Sequence, residues 1–273
     1  MTKIFFFGTP QIAIPSLEAL HNDPAVEIVG VGVFPDRPVG RKQTLTPCPV
    51  KVAALELNLP VFEIPNKAEL VKIINTQNFD LGIVIAFGMI FPAEVLGNII
   101  NVHFSLLPAY RGASPVQSAI LNGDETSGIT WQLMAPALDA GDILYQTEYD
   151  LVDKSTATLW AEMAQVTAES FPQFIQKYIS GALSKNPQDE SMATFCGKFK
   201  RSDGEILPII ETAHEIYRKY RAFDPWPGIY LETEAGRLKL LKCHIKPQTE
   251  TVTLQCANNT ELFLETVHLA GKK

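Results

Sequence analysis

The first half of the chain alternates short, fully apolar runs with stretches in which apolar residues recur at helical spacing. The apolar runs predict five buried strands, Ile4–Phe7, Val26–Phe34, Val61–Ile64, Leu81–Ala86 and Ile99–Phe104. Strands that are apolar on both faces and separated by helices are typical of a parallel sheet that is covered on both sides. The pattern therefore predicts an α/β fold, a Rossmann-like domain with a parallel-rich sheet.

The turn after the first predicted strand reads Gly8-Thr9-Pro10. Thr9 is predicted to cap a helix that has Pro10 in its first turn and runs through Leu20. A dinucleotide-binding turn carries the pattern G-x-G-x-x-G, because the backbone must approach a pyrophosphate closely. A single glycine does not meet that requirement, so dinucleotide binding is not predicted.

The pattern of apolar and polar residues changes in the second half of the chain. Thr156–Ile179 has the apolar spacing of one long helix, and a polar, proline-containing stretch follows it. A helix over Ala213–Arg221 then precedes short strand-like runs that are typical of a small barrel: Gly228–Glu232, Arg237–Ile245, Thr251–Cys256 and Glu261–Val267. We therefore expect a Rossmann-like domain over 1–182, a linker over 183–200 and a small β-barrel domain over 201–273.

Composition narrows the class of protein. The 273 residues carry 23 Lys and Arg against 30 Asp and Glu, and this net charge of −7 argues against a protein that coats nucleic acid. No apolar stretch approaches the ~20 residues of a membrane span, and the first residues do not form a secretory signal. The four cysteines and five histidines are scattered, without metal-ligand spacing. These features predict a cytoplasmic protein with reduced thiols, no bound metal and no membrane contact.

The charge is unevenly distributed. Residues 191–273 hold 12 Lys and Arg against 10 Asp and Glu, a net charge of +2, so residues 1–190 carry −9. Two basic clusters stand out, the first in the loop after the second strand (Arg37, Arg41, Lys42) and the second near the predicted linker (Lys198, Lys200, Arg201). Either cluster is compatible with a solvated surface or with contact to a nucleic acid.

The residues with the clearest chemical content end the fifth predicted strand, in the sequence Asn101-Val102-His103-Phe104-Ser105. Strand alternation places Asn101 and His103 on one face, and ligands of open α/β sheets bind beyond the carboxyl ends of strands. A later turn, Leu138–Asp142, supplies carboxylates. If that turn folds over the same edge, an amide, an imidazole and a carboxylate meet there, which suits acyl-type transfer. A structural histidine and a turn aspartate are the alternative.

Several segments resemble the folate-dependent formyltransferase superfamily. NVHFSLLPAYRGASPVQ and LDAGDIL are similar to its catalytic core. Four further segments resemble the methionyl-tRNA formyltransferase family: FFFGTPQIAIPSLEAL, the loop PDRPVGRKQTLTPCPVKVAALELNLPVF, FDPWPGIYLE and the closing ELFLETVHLAGKK. The resemblance implies a Rossmann-like formyltransferase domain followed by an OB-like barrel that contacts tRNA.

The resemblance also implies an activity. It is the transfer of the formyl group of 10-formyltetrahydrofolate to the α-amino group of initiator methionyl-tRNA, for translation initiation. No metal is expected to take part, and the protein is expected to be a monomer. Asn101, His103 and Asp139 match the catalytic trio of the family. Matches to the formyl-folate contacts are Ser105, Leu106, Leu107, Pro108, Ile85, Phe87 and Gly88. Matches to tRNA-binding positions are Arg37, Arg41, Lys42, Lys198, Lys200 and Arg201.

Three alternatives remain beside that reading: a formyltransferase that acts on an amino-sugar nucleotide, a formyltetrahydrofolate hydrolase, and a non-catalytic folate- or RNA-binding protein. The chain also departs from the family at several positions, with Phe104 for a usual glycine, Ile12 for a usual phenylalanine and Met134-Ala135-Pro136 before the aspartate turn. The segment between Ile245 and Thr251 is short, so we expect a reduced barrel, with consequences for the strength of tRNA binding.

Overall fold

The computed structural model describes residues 1–40 and 42–270. Its strands are β1 (Thr2–Gly8), β2 (Val26–Val33), β3 (Arg37–Val39), β4 (Thr44–Thr46), β5 (Val61–Glu63), β6 (Leu81–Ile85), β7 (Ile99–His103), β8 (Arg111–Gly112), β9 (Thr126–Leu133), β10 (Ile143–Asp150), β11 (Phe195–Cys196), β12 (Ile229–Thr233), β13 (Gly236–His244), β14 (Val252–Cys256) and β15 (Thr260–Leu269). The five strands predicted in the first half of the chain are confirmed as β1, β2, β5, β6 and β7, each within two residues of its predicted ends.

The α-helices are α1 (Ile14–Asn22), α2 (Pro49–Glu56), α3 (Lys67–Thr76), α4 (Pro115–Asn122), α5 (Thr156–Ile179) and α6 (Ala213–Ala222). The long helix predicted over Thr156–Ile179 is confirmed at both ends. Within the part of the chain that the structure describes, no helix combines the length and the apolar character needed to cross a membrane.

The chain divides into two compact units. The first unit comprises Met1–Arg111, Gly128–Tyr149 and Trp160–Phe195, and the second comprises Gly112–Ser127, Asp150–Leu159 and the chain from Cys196 onward. Each unit therefore draws on separate stretches of sequence. The boundaries expected from the sequence, at 182 and 200, stay a prediction.

The first unit is built on a seven-stranded sheet in the order β10-β9-β7-β6-β1-β2-β5. Strands β5, β2, β1, β6 and β7 run parallel, and β9 is antiparallel to β7. The chain proceeds from β1 outward through β2 and β5, then returns to place β6 on the other side of β1. In open sheets of this kind, such a reversal of strand order marks the place where ligands bind, here at the carboxyl ends of β1 and β6. The Rossmann-like part of the predicted fold is confirmed.

The core of the first unit depends on the apolar start of the chain. Phe5, Phe6 and Phe7 are fully buried, and the rings of Phe5 and Phe7 lie 4.7 Å apart between centroids. Their space comes from two glycines of the neighbouring strand. A Cβ at Gly30 would lie 2.4 Å from the Phe5 ring, and one at Gly32 would lie 2.7 Å from the Phe7 ring. Glycine is therefore required there for close packing between ring and strand.

The beginning of the first helix differs from the prediction. Gln11–Ala13 form a 3₁₀ turn, and the α-helix begins only at Ile14, with Pro15 in its first turn. The Thr9 hydroxyl is buried and makes no capping bond, and it has no hydrogen-bond partner among the described residues. The prediction of Thr9 as the cap was therefore wrong, because the second proline of the segment sets the start of the helix instead.

The second unit contains α4, α6 and an antiparallel sheet in the order β12-β13-β15-β14. Helix α6 begins with a capping box, in which the Thr212 hydroxyl accepts from the Glu215 N–H and the Glu215 carboxylate accepts from the Thr212 N–H. Four strands in this order form a half-barrel, so the predicted shortened barrel is confirmed as the fold of this unit.

Candidate active site

The polar end of β7 meets a matching polar pair on β9. In the register of the two strands, Asn101 lies opposite Gln132 and His103 lies opposite Thr130. The alternate position, Val102, lies opposite Trp131, and both are buried in the core. Because side chains alternate along a strand, the four polar residues share one face of the sheet. This face supplies the amide and imidazole expected from the sequence and adds two residues from β9.

The carboxylate comes from the turn after β9. Asp139 adopts a left-handed backbone conformation with φ of +50°, and Gln132 holds the turn from two sides. The Gln132 Nε2 donates to Asp139 Oδ1 at 3.0 Å, and its Oε1 accepts from the Gly141 N–H at 3.2 Å. Gly141 packs so closely on β9 that a Cβ would lie 1.7 Å from the Leu133 carbonyl oxygen. The turn is thereby held against the polar face of the sheet.

The structure brings Asn101, His103 and Asp139 together. Asn101 Nδ2 lies 3.4 Å from Asp139 Oδ1, and His103 Nδ1 lies 3.7 Å from Asp139 Oδ2. The side chains of His103 and Asp139 are only 7% and 11% exposed. Charge interactions gain strength where water is largely excluded, so this carboxylate can act on its two neighbours effectively.

The second nitrogen of His103 also has a partner. His103 Nε2 lies 2.9 Å from the carbonyl oxygen of Tyr110. A carbonyl oxygen only accepts, so Nε2 must carry the hydrogen in this bond. Nδ1 is then the nitrogen that faces the carboxylate, and a hydrogen there as well would make His103 a cation paired with Asp139. The imidazole ring is therefore oriented from both sides.

The predicted folate segment, Ser105–Pro108, follows β7 directly. The Ser105 hydroxyl donates to the Ala109 carbonyl at 2.6 Å, so it is engaged within its own loop. Thr130 fastens the segment to β9, because its hydroxyl donates to the Ser105 carbonyl and accepts from the Leu107 N–H. Ser105 and Leu107 are buried, whereas Leu106 and Pro108 are half-buried. The half-buried pair is the part of the segment with surface available for a ligand.

The other predicted folate residues follow β6. Ile85 ends that strand and is fully buried, and Phe87 is buried with its ring stacked on Phe34 at 4.8 Å. Gly88 is exposed and has a φ of +77°, which favours glycine. Since β6 pairs with β7, these residues and the polar end of β7 lie at the same edge of the sheet.

Arg37 and Lys42 of the first basic cluster lie in an exposed hairpin formed by β3 and β4. The guanidinium of Arg37 lies over the Phe34 ring at 4.9 Å, and Lys42 is exposed. Arg41 lies outside the described residues. The base of the hairpin is anchored by Lys51, whose Nζ donates at 2.6 Å both to Asp36 and to Glu63. These bonds, to Asp36 first, raise the pKa of Lys51 above its ordinary value.

The second basic cluster lies in the second unit. Lys198, Lys200 and Arg201 are all exposed. Phe199, between the two lysines, packs edge-on against Phe223 at 5.0 Å between ring centroids. The aromatic contact holds the segment to its own unit while the three cations face solvent.

Sequence reasoning missed Gln132, Arg111 and Gln188 as residues of the site. Gln132 had a detectable signal, because Thr130 and Gln132 alternate with Ile129 and Trp131 along β9 in the same manner as the polar residues of β7. Gln188 had none, since it lies in the stretch predicted as a linker. Among residues 1–40 and 42–270, no group of three or more histidine, cysteine or acidic side chains is placed to hold a metal ion.

Comparison with known proteins identifies the family. Residues 2–175 match the family model for formyl transferase, and residues 198–273 match the model for the formyl transferase C-terminal domain. The methionyl-tRNA formyltransferase of Campylobacter jejuni is 40% identical over 247 residues, which cover 88% of this chain and 79% of that protein. This chain belongs to the methionyl-tRNA formyltransferase family. The Bacillus subtilis methionyl-tRNA formyltransferase is 35% identical, and that match covers 100% of this chain and 92% of the relative.

A solved structure supports the fold independently. The N-formyltransferase from Helicobacter canadensis, determined with folinic acid and dTDP-3-aminofucose, superposes with a TM-score of 0.73. The match covers 97% of this chain and 99% of that one at 18% sequence identity. At this identity the likeness shows a common fold.

Proposed function

We propose that this chain transfers the formyl group of 10-formyltetrahydrofolate to the α-amino group of the methionine carried by initiator tRNA. The observation that carries the proposal is the convergence of Asn101 and His103 on the carboxylate of Asp139, within 3.4 and 3.7 Å. In a chain of this family, that cluster offers hydrogen-bond donors and a proton carrier at one point, as acyl transfer to an amine requires.

The proposed reaction proceeds by addition and elimination. The methionine amine attacks the formyl carbon, and the formyl oxygen becomes an oxyanion. The amide of Asn101 carries two hydrogens, so one can bond Asp139 while the other donates to that oxygen. The second donor is the Nε2–H of His103, which exchanges the Tyr110 carbonyl for that oxygen as the oxyanion forms. The bond from carbon to N10 of the folate then breaks, N10 takes up a proton, and the amine loses one through Asp139 and water.

We assign the folate to the carboxyl ends of β6 and β7. Leu106, Pro108 and Gly88 offer half-buried or exposed surface for the pterin and the formyl group. Ser105, Leu107, Ile85 and Phe87 are buried and support that surface from behind. Their part in binding is to fix the loop conformation rather than to contact the ligand through polar atoms.

We assign contacts with tRNA phosphates to the two basic clusters, each within its own unit. Arg37 and Lys42 are exposed in the first unit, and Lys198, Lys200 and Arg201 are exposed in the second unit, whereas Arg41 lies outside the described residues. Exposed cations of this kind bind RNA phosphates by releasing counterions. A few such contacts suit a protein that holds one end of one RNA as a cytoplasmic monomer, despite its acidic net charge.

The proposal is tested by offering the purified protein 10-formyltetrahydrofolate with methionyl-initiator tRNA, with a dTDP-amino sugar, or with no acceptor. Formylmethionyl-tRNA is the expected product. Formylation of the sugar alone would refute the proposal in favour of a sugar formyltransferase. Formate release at the same rate with and without an acceptor would instead identify a hydrolase.

A further inference from the structure

Gln188 lies in the stretch predicted as a linker, yet its side chain reaches the turn that carries Asp139. Its Nε2 donates to the carbonyl oxygens of Asp139 at 2.9 Å and Gly141 at 2.8 Å. It also lies 3.3 Å from Gln132 Oε1. One amide group thus bonds both ends of the three-residue turn. Flanking residues Pro187 and Asp189 are exposed, whereas Gln188 is half-buried, so this side chain is turned inward.

Arg111 fixes the orientation of that amide. Its Nε and Nη2 both donate to Gln188 Oε1, at 3.0 and 2.8 Å. A guanidinium cannot accept a hydrogen bond, so the oxygen of Gln188 must face Arg111 and the nitrogen must face the turn. Arg111 is only 3% exposed and is held by a two-pronged pair with Glu190, both bonds at 2.8 Å. This pairing raises the pKa of Arg111, which keeps its charge.

The segment that contains Gln188 also supports the opposite side of the His103 imidazole. The Thr194 hydroxyl accepts from the Tyr110 N–H at 2.8 Å, and the Thr194 carbonyl accepts from the Arg111 N–H at 2.8 Å. Tyr110 is the residue whose carbonyl bonds His103 Nε2. The stretch from Gln188 to Thr194 therefore contacts the supports of both His103 and Asp139.

The turn needs such support because its conformation is unfavourable for a residue with a side chain. Asp139 has a φ of +50°, a left-handed backbone conformation that is unfavourable for a residue other than glycine. A carboxylate on an unsupported turn samples several positions. Two bonds from Gln188 to the backbone, together with those of Gln132, restrict it to the one that faces His103.

We infer that Gln188 and Arg111 are positioning residues for the transfer reaction, acting through the turn to set the Asp139 carboxylate against His103. This inference rests on the proposed function. It extends the active site into a segment of sequence with no catalytic signature of its own.

The test uses Gln188→Met, which keeps the length and bulk of the side chain but removes the amide nitrogen and the amide oxygen. We expect kcat to fall about 10- to 100-fold, since a displacement of about 1 Å at a reacting group costs up to ~10² in rate. The KM values for folate and for tRNA should stay within about threefold, because neither ligand is assigned to Gln188. Gln165→Met is the matched control, because Gln165 is exposed and its side chain bonds Glu169 of its own helix.

A double-mutant cycle separates positioning from a general structural role. In an Asp139→Ala background, Gln188→Met should cost less than about twofold further, because the group it positions is gone. A full additional loss in that background would overturn the inference, as would a Gln188→Met kcat within about threefold of the parent. Gln188→Glu keeps the acceptor for Arg111 but not the donor, and it should lose kcat equally, which covers the case in which the methionine variant fails to fold.

A readout without turnover keeps this inference distinct from the proposed function. Hydrogen exchange of the Gly141 amide, which is bonded to Gln132, should accelerate in Gln188→Met and stay unchanged in Gln165→Met. Unchanged exchange in both variants would overturn the positioning role. If the parent protein formylates no acceptor while exchange responds as expected, the proposed function fails and the structural coupling stands.

Discussion

A single methyl group at Gly141 is expected to remove most of the formyl transfer. The Cβ of an alanine there would lie 1.7 Å from the Leu133 carbonyl oxygen and 2.8 Å from its carbonyl carbon, whereas ordinary contact begins at 3.4 Å. The obstacle is strand backbone, which does not yield as a flexible side chain does. The turn must therefore retreat by more than about 1 Å, and a shift of that size at a reacting group costs about 10² in rate. We expect kcat of Gly141→Ala to fall at least about 100-fold.

The assay is steady-state formylation with the methionyl-tRNA concentration varied, which gives kcat and KM, and thermal unfolding is measured on the same samples. Gly97→Ala is the matched control, because a Cβ at Gly97 would meet no heavy atom of the described residues within 4 Å. It should react at the parent rate. If Gly141→Ala folds and reacts within about threefold of the parent, the placement of Asp139 by this turn does not control the reaction, and the proposed role of the carboxylate fails.

Three further outcomes follow from the structure. His103→Ala and Asp139→Asn should unfold at the parent temperature, but the same assay should show kcat lowered about 10²- to 10³-fold. Parent-like rates in both variants would contradict the assigned roles. Lys51→Met should raise the KM for tRNA about two- to fivefold by releasing the hairpin, with about 0.5–1 kcal/mol lost in thermal unfolding. Because the pKa of Lys51 is raised, this stabilisation is complete below its ordinary pKa and is lost only as pH rises through the folded-state value, so the loss should be constant between about pH 6 and pH 9. Burial raises the pKa of the Cys243 thiol to about 12, so mass spectrometry after iodoacetamide treatment should find Cys48, which is half-buried, modified well before Cys243.

Local pattern was sufficient for the framework of the fold. The apolar runs of β1 and β6 are buried at nearly every position, and the spacing of α5 predicted both of its ends. Alternation along β7 correctly placed Asn101 and His103 on one face. Where two local signals competed, as with the two prolines near the start of α1, the prediction chose the wrong one.

The residues of the site could not all be predicted from the pattern of polar and apolar residues in the sequence. Gln132 could have been predicted from the sequence, because polar and apolar residues alternate along β9 as they do along β7. Only the strand register shows that Gln132 lies opposite Asn101. Gln188 carries no local signal at all. Its bonds join it to Asp139, 49 positions earlier, and to Arg111, 77 positions earlier.

The sequence by itself determined which segments become strands and helices and which residue types are available for chemistry, because periodicity and propensity act over a few neighbouring residues. The tertiary structure alone decided which of those residues meet. Strand order brought β7 beside β9, and a left-handed turn, closed by a glycine against Leu133, carried Asp139 back to His103. The buried Arg111 orients the amide of Gln188, a residue predicted to lie in a linker, so that its nitrogen bonds the backbone of that turn. Such contacts depend on chain topology rather than on local sequence.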